Sequence, residues 1–102
     1  MIQVTDGIQQ VASFMEVVWR VDVSPQMAAP TGAAVQSVFD LTDNEAVTST
    51  IIPSGSASIE DDVYVKLPLA KDFEANHQYS IRFSFTDGTN VLPGEIRAKC
   101  EF

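Results

Sequence analysis

The chain has 102 residues, of which 45% are hydrophobic, and carries 14 acidic against 6 basic side chains for a net charge of −8. That length holds one domain, 1–102, with no room for a second core, and so acidic a surface repels phosphates and excludes nucleic acid as an expected partner. The single cysteine excludes an intramolecular disulfide framework.

Hydrophobicity with a period of two dominates the chain, the mark of half-buried strands. Ile2 and Val4 predict a short first strand before a turn at Asp6-Gly7. From Ser13 to Val23 the odd positions Met15, Val17, Trp19, Val21 and Val23 are apolar, while Phe14, Glu16, Val18, Arg20 and Asp22 between them are mixed. The next strand is expected to turn Val35, Phe39 and Leu41 inward and Gln36, Asp40 and Thr42 outward. Val47, Ser49 and Ile51 continue the pattern in a shorter strand. Val63, Val65, Leu67 and Leu69 then line one face, with Asp62, Tyr64, Lys66 and Pro68 opposite.

The clearest alternation follows "FEANHQ". Tyr79, Ile81, Phe83 and Phe85 face in, and Ser80, Arg82, Ser84 and Thr86 face out. A last strand puts Ile96, Ala98, Cys100 and Phe102 inside, with Glu95, Arg97, Lys99 and Glu101 outside. That makes about seven strands and no helix, because the Ala-rich "MAAPTGAA" is broken by Pro30 and Gly32. Turn-rich segments fall between the strands: Ser24–Ala34, Pro53–Asp61, and Asp87–Gly94 with its Asp87-Gly88 signal. Strands at this spacing predict an all-β antiparallel sandwich. The apolar runs are too short for a membrane span. "MIQVTDG" has neither the basic nor the apolar region of a signal peptide, so a cytoplasmic or virion location is expected.

The chemistry-bearing residues are few. His77 is the only histidine, its sequence neighbours are Asn76 and Gln78, and it is expected to be an exposed turn residue. Cys100 alternates inward as a small hydrophobe, not a nucleophile. No nucleophile elbow, phosphate loop, dinucleotide fingerprint or zinc motif occurs, so no catalytic activity and no cofactor are expected. Two acidic groups, Asp40-Asp43-Asn44-Glu45 and Glu60-Asp61-Asp62, offer oxygens of the kind calcium takes. Neither has the EF-hand spacing, and Asp43-Asn44 reads equally as a turn; no metal site is assigned.

"FEANHQY", Phe73 to Tyr79, resembles the approach to the sixth strand of fibronectin type III and related immunoglobulin-like domains. In those domains an apolar residue precedes a tyrosine by six positions. Trp19 matches their core tryptophan. The resemblance spans nearly the whole chain as a strand pattern but rests on these two short motifs. It implies a seven-stranded antiparallel immunoglobulin-like sandwich, nearer the fibronectin branch because paired inter-sheet cysteines are missing. It further implies a structural Tyr79, its ring in the core and its hydroxyl bonded to nearby backbone. No Arg-Gly-Asp stands before the last strand, so integrin adhesion is not implied. Small domains of this kind are common among phage and prophage particle components.

Binding surfaces are therefore where function is expected. At one end, the fold would bring together the loops that carry Met27 and, on the other side, Val91 and Leu92. On an outer face Phe14, Val18 and Tyr64 all point away from the core, on strands the fold would place side by side. The expected function is a non-catalytic structural or protein-binding subunit of a larger assembly, through a protein partner or self-association. The alternative is a ligand- or glycan-binding module that uses the loop end.

Overall fold

The computed structural model describes residues 8–102; the strand expected at Ile2 and Val4 lies outside them. It is all-β in architecture, with eight strands in two sheets and a single helical turn among the described residues. The strands are β1 (Gln9–Val11), β2 (Arg20–Asp22), β3 (Gly32–Asp40), β4 (Glu45–Ala46), β5 (Ser58–Glu60), β6 (Tyr64–Lys66), β7 (Gln78–Thr86) and β8 (Val91–Cys100). The larger sheet runs β1-β8-β7-β3-β4 and the smaller β2-β6-β5. β1 lies parallel to β8, so the larger sheet is mixed and not wholly antiparallel as expected.

β7 and β8 keep the alternation their sequences announce. Ile81, Phe83 and Phe85 pair with Ile96, Gly94 and Leu92, and the first three are buried. Gly94 is required there, because a Cβ would run into the Phe83 ring across the ladder. The hairpin turn is short: Asp87 Oδ1 accepts the Thr89 and Asn90 N–H groups at 2.9 and 2.8 Å. Gly88 takes the positive φ of 95° that this turn demands. Val91 and Leu92, expected in a loop, thus belong to β8.

β3 behaves differently. Val35 pairs with Phe83, but Ser37 pairs with Arg82, so a bulge at Gln36 inserts one residue. A one-residue slip moves every later side chain to the other face. Val38 and Asp40 turn inward and are buried, whereas Phe39 faces out beside Ser80. The expected facing of Phe39 and Asp40 is corrected accordingly.

The strand expected at Val47–Ile51 is the helical turn α1 (Thr48–Ile51). The Thr48 hydroxyl stands in for a sheet partner, accepting the Val38 N–H at 2.9 Å. The backbone is then free to close on itself, Ile52 N–H to Thr48 carbonyl at 2.8 Å. Ile51, still buried, closes that end of the core.

In the smaller sheet only Arg20–Asp22 of the expected Ser13–Val23 strand is regular, with an isolated bridge from Val17 to Ala70. The inward face is nevertheless as expected, with Val21 and Val23 buried and Trp19 packed against the core. Trp19, Phe73 and Tyr79 stack edge to face, with centroids 6.2 and 5.5 Å apart. Tyr79 is buried, and its hydroxyl accepts the Glu74 N–H at 2.7 Å.

Candidate functional site

The first of the two loop segments runs onto the end of β7, and its last residues share a groove with Val91. Thr31 donates to the Thr86 carbonyl at 2.7 Å, and Gly32 pairs with Thr86. Met27, however, is buried in the core, its N–H closing a turn onto the Val23 carbonyl at 2.8 Å. A thioether beside so many apolar neighbours is drawn out of water, so Met27 is not a surface residue. Leu92 is half-buried against the same core, which leaves Val91 as the exposed residue of the three, at 69%. Val91 borders a groove of about 230 Å³ floored by Gly32, Ala34, Ser84 and Thr86. Among the described residues no charged side chain lines it.

The outer-face group does not form one patch. β2 and β6 are neighbours as expected, Asp22 facing Tyr64. Yet Tyr64 is covered by the Arg20 guanidinium, 4.4 Å above its ring. Arg20 in turn meets Glu60 at 2.7 Å and Asp61 at 2.9 Å, and Lys66 stands 3.7 Å from Glu60. Two of the carboxylates that looked suited to calcium, Glu60 and Asp61, are engaged here by these cations. Val18 is exposed near Leu69, which was expected to face inward. Phe14 lies beyond the Val17–Ala70 bridge and stacks on Phe102 at 6.4 Å and 26°. The pair is 78% and 69% exposed. Phe102 was expected inside; β8 ends at Cys100, and the Phe102 carbonyl accepts the Ser13 N–H.

Two charged clusters were not anticipated. At the end of β3, Asp40 is 2% exposed. Its Oδ1 accepts the Thr42 and Asp43 N–H groups at 2.9 and 3.1 Å, and Oδ2 meets His77 Nδ1 at 2.7 Å. Asp43 lies 3.8 Å from Nδ1, and Glu74 3.7 Å from Nε2. The His77 side chain is 14% exposed, not the solvent-facing turn residue expected. Burial works against the charge on Asp40, but the His77 hydrogen bond and the two backbone donors outweigh it and hold its pKa below 3.8. The Asp40 hydrogen bond holds His77 above 6.5 against the opposing effect of burial. One donor atom from each of these four side chains falls within 4.8 Å of the others, a span one divalent cation could bridge. Nδ1 is already committed to Asp40, and the imidazolium carries the positive charge itself, so we read the group as an ion-pair network.

The second cluster lies on the outer face of β7 and β8. Ser80, fully buried, donates to Glu95 Oε2. Arg97 Nε lies 3.1 Å from Glu95 Oε1 and Arg82 Nε 4.0 Å from Oε2. Burial pushes the Glu95 pKa up, but Ser80 and the two guanidiniums together bring it below 4.5. Glu95, expected outside, is on the outward face as placed but covered. Cys100 is buried inside as expected, and burial pushes its thiol pKa up. No described helix is long and apolar enough to cross a membrane.

Compared with protein-family models, with curated proteins and with solved structures, the chain has no match in any of the three.

Proposed function

We propose that this chain is a non-catalytic structural or protein-interaction subunit of a larger assembly, of the kind found in phage or prophage particles. The observation that carries the reading is the Phe14–Phe102 pair, two large aromatic rings stacked on each other yet mostly exposed. Such rings cost free energy in water and lose that cost when a partner covers them. The strand orders β1-β8-β7-β3-β4 and β2-β6-β5 support an immunoglobulin-like sandwich, as does the Tyr79 hydroxyl on the Glu74 N–H. The eight strands do not map one to one onto the expected seven: β1, β4 and β5 were not expected as strands, β5 falling inside the expected loop Pro53–Asp61, and the strand expected at Val47–Ile51 is α1. The non-catalytic reading is supported by the surroundings of His77, whose Nε2 faces the Glu74 carboxylate. The Cys100 thiol turns instead to the Phe102 carbonyl, 3.8 Å away. Molar mass by light scattering across a wide concentration range tests the reading. Self-association that Phe14→Ser weakens supports it; a monomer at every concentration that also captures no protein through this face would remove the basis for it.

The second reading, a ligand- or glycan-binding module, is favoured by the uncharged groove beside Val91. Against it, the chain's only tryptophan packs in the Trp19–Phe73–Tyr79 stack and offers no platform for a sugar ring. Binding of an uncharged ligand that Val91→Asp abolishes would favour it over the first.

A further inference from the structure

His77 sits where three parts of the fold converge. From the end of β3 and the turn after it come Asp40 and Asp43, 2.7 and 3.8 Å from Nδ1. From the segment between β6 and β7 comes Glu74, 3.7 Å from Nε2. From β8 come Cys100, whose N–H donates to the His77 carbonyl at 2.9 Å, and Lys99, paired with Glu101 at 3.8 Å. On its own segment the neighbouring titratable group is Tyr79, whose hydroxyl is held by the Glu74 N–H. Among all of these the imidazole is the group that changes charge near neutral pH.

We propose that the proton on His77 acts as a clasp, holding the β3–β4 turn and the β6–β7 segment together through Asp43 and Glu74 and releasing both when it leaves. The distances separate the two kinds of contact. At 2.7 Å the bond to Asp40 is a true hydrogen bond, and the neutral tautomer with its proton on Nδ1 still donates it. At 3.8 and 3.7 Å, Asp43 and Glu74 are beyond hydrogen-bond reach and are held by charge alone. Loss of the proton therefore frees these two and leaves Asp40 in place. It also takes the three carboxylates and one imidazolium from a net −2 to −3. The resting main-chain bonds remain, the Glu74 N–H on Tyr79 and the Gln78 N–H on the Thr42 hydroxyl, so the lost attraction shows as more frequent local opening of these segments. The Asp40 hydrogen bond holds the folded imidazole above 6.5, so the clasp closes as pH falls and opens as pH rises through the folded pKa. At higher pH this end of the molecule presents bare carboxylates to a cationic partner.

The test is an NMR titration of the whole chain, free of overlap because there is one histidine. It is paired with amide-exchange protection factors, corrected for intrinsic rate, at Asp43 and Gln78. Expected are a midpoint above the ordinary ~6.5, a fall with added salt, and protection that drops about two- to fivefold through the transition, as the loss of one or two exposed ion pairs implies. Replacing both outer carboxylates (Asp43→Asn with Glu74→Gln) should lower the midpoint and flatten the protection profile. A midpoint at or below the ordinary imidazole value overturns the proposal. So does a double variant that titrates like the parent, or protection that ignores the transition.

Discussion

Asp40 and Glu95 are two answers to one problem. Each carboxylate is almost wholly buried, each has its pKa held below the ordinary value, and each sits on the ladder through β7. They differ in counter-ion. Glu95 faces Arg82 and Arg97, which keep their charge at any pH a protein meets. Asp40 faces His77, which does not. A buried carboxylate matched by arginine is limited by pH on the acid side alone, whereas one matched by histidine is limited on both sides. The ladders through β7 thus carry one ion pair of each kind.

Asp40→Ala is the harshest perturbation of either ion pair. It strips the acceptor from two backbone N–H groups and from His77 at once, and should cost about 3–5 kcal/mol in chemical denaturation. Tyr79→Phe attacks the same corner without touching a charge. It leaves the Glu74 N–H without its acceptor and should cost about 1–3 kcal/mol, with the pH profile unchanged in shape. If that profile does change, the corner and the ion pair are one unit. Glu95→Gln should cost less, about 1–2 kcal/mol, because the amide still accepts from Ser80 and the buried Arg97 Nε beside Oε1 is the group that loses its charged partner.

The gentlest test is the pH dependence of the melting temperature. Asp40 and Glu95 have folded pKa values below their 3.8 and 4.5 references, so both contribute above those values and lose their contribution as pH falls through the folded ones. His77 has a folded pKa above 6.5, so its share is complete below 6.5 and fades as pH rises through the folded value. Glu95→Gln should therefore flatten the acid limb alone, while His77→Asn should flatten the alkaline one. An alkaline limb that survives His77→Asn would assign it to some other group.

How much of this could be read from the residues depended on whether the period of two held. Along β7 it held from Tyr79 to Phe85, and the buried Tyr79 with its locally bonded hydroxyl was legible from Phe73 and Tyr79 alone. Along β3 it broke at Gln36, where nothing in "VQSVFD" announces an inserted residue. The bulge moved Asp40 inside, so the contact with a histidine 37 positions away had no signature in either local segment. Its one available hint was an acidic residue two positions before a turn, which is too common to single out. Met27 failed as a binding residue for a related reason: a loop's sequence does not say whether it folds back over the core. Phe14 was legible as exposed, but its partner Phe102 was assigned by an alternation that β8 no longer obeys past Cys100.

Cys100 turns the inside of this molecule into something that can be timed. The thiol is unique, fully covered, and lies in the ladder between β1 and β7. A thiol reagent added in excess can reach it only during moments when that seam parts. The rate of modification would count those moments directly, and its change with pH would report whether the histidine at the far side of the same hydrogen bond also sets how often the seam breathes.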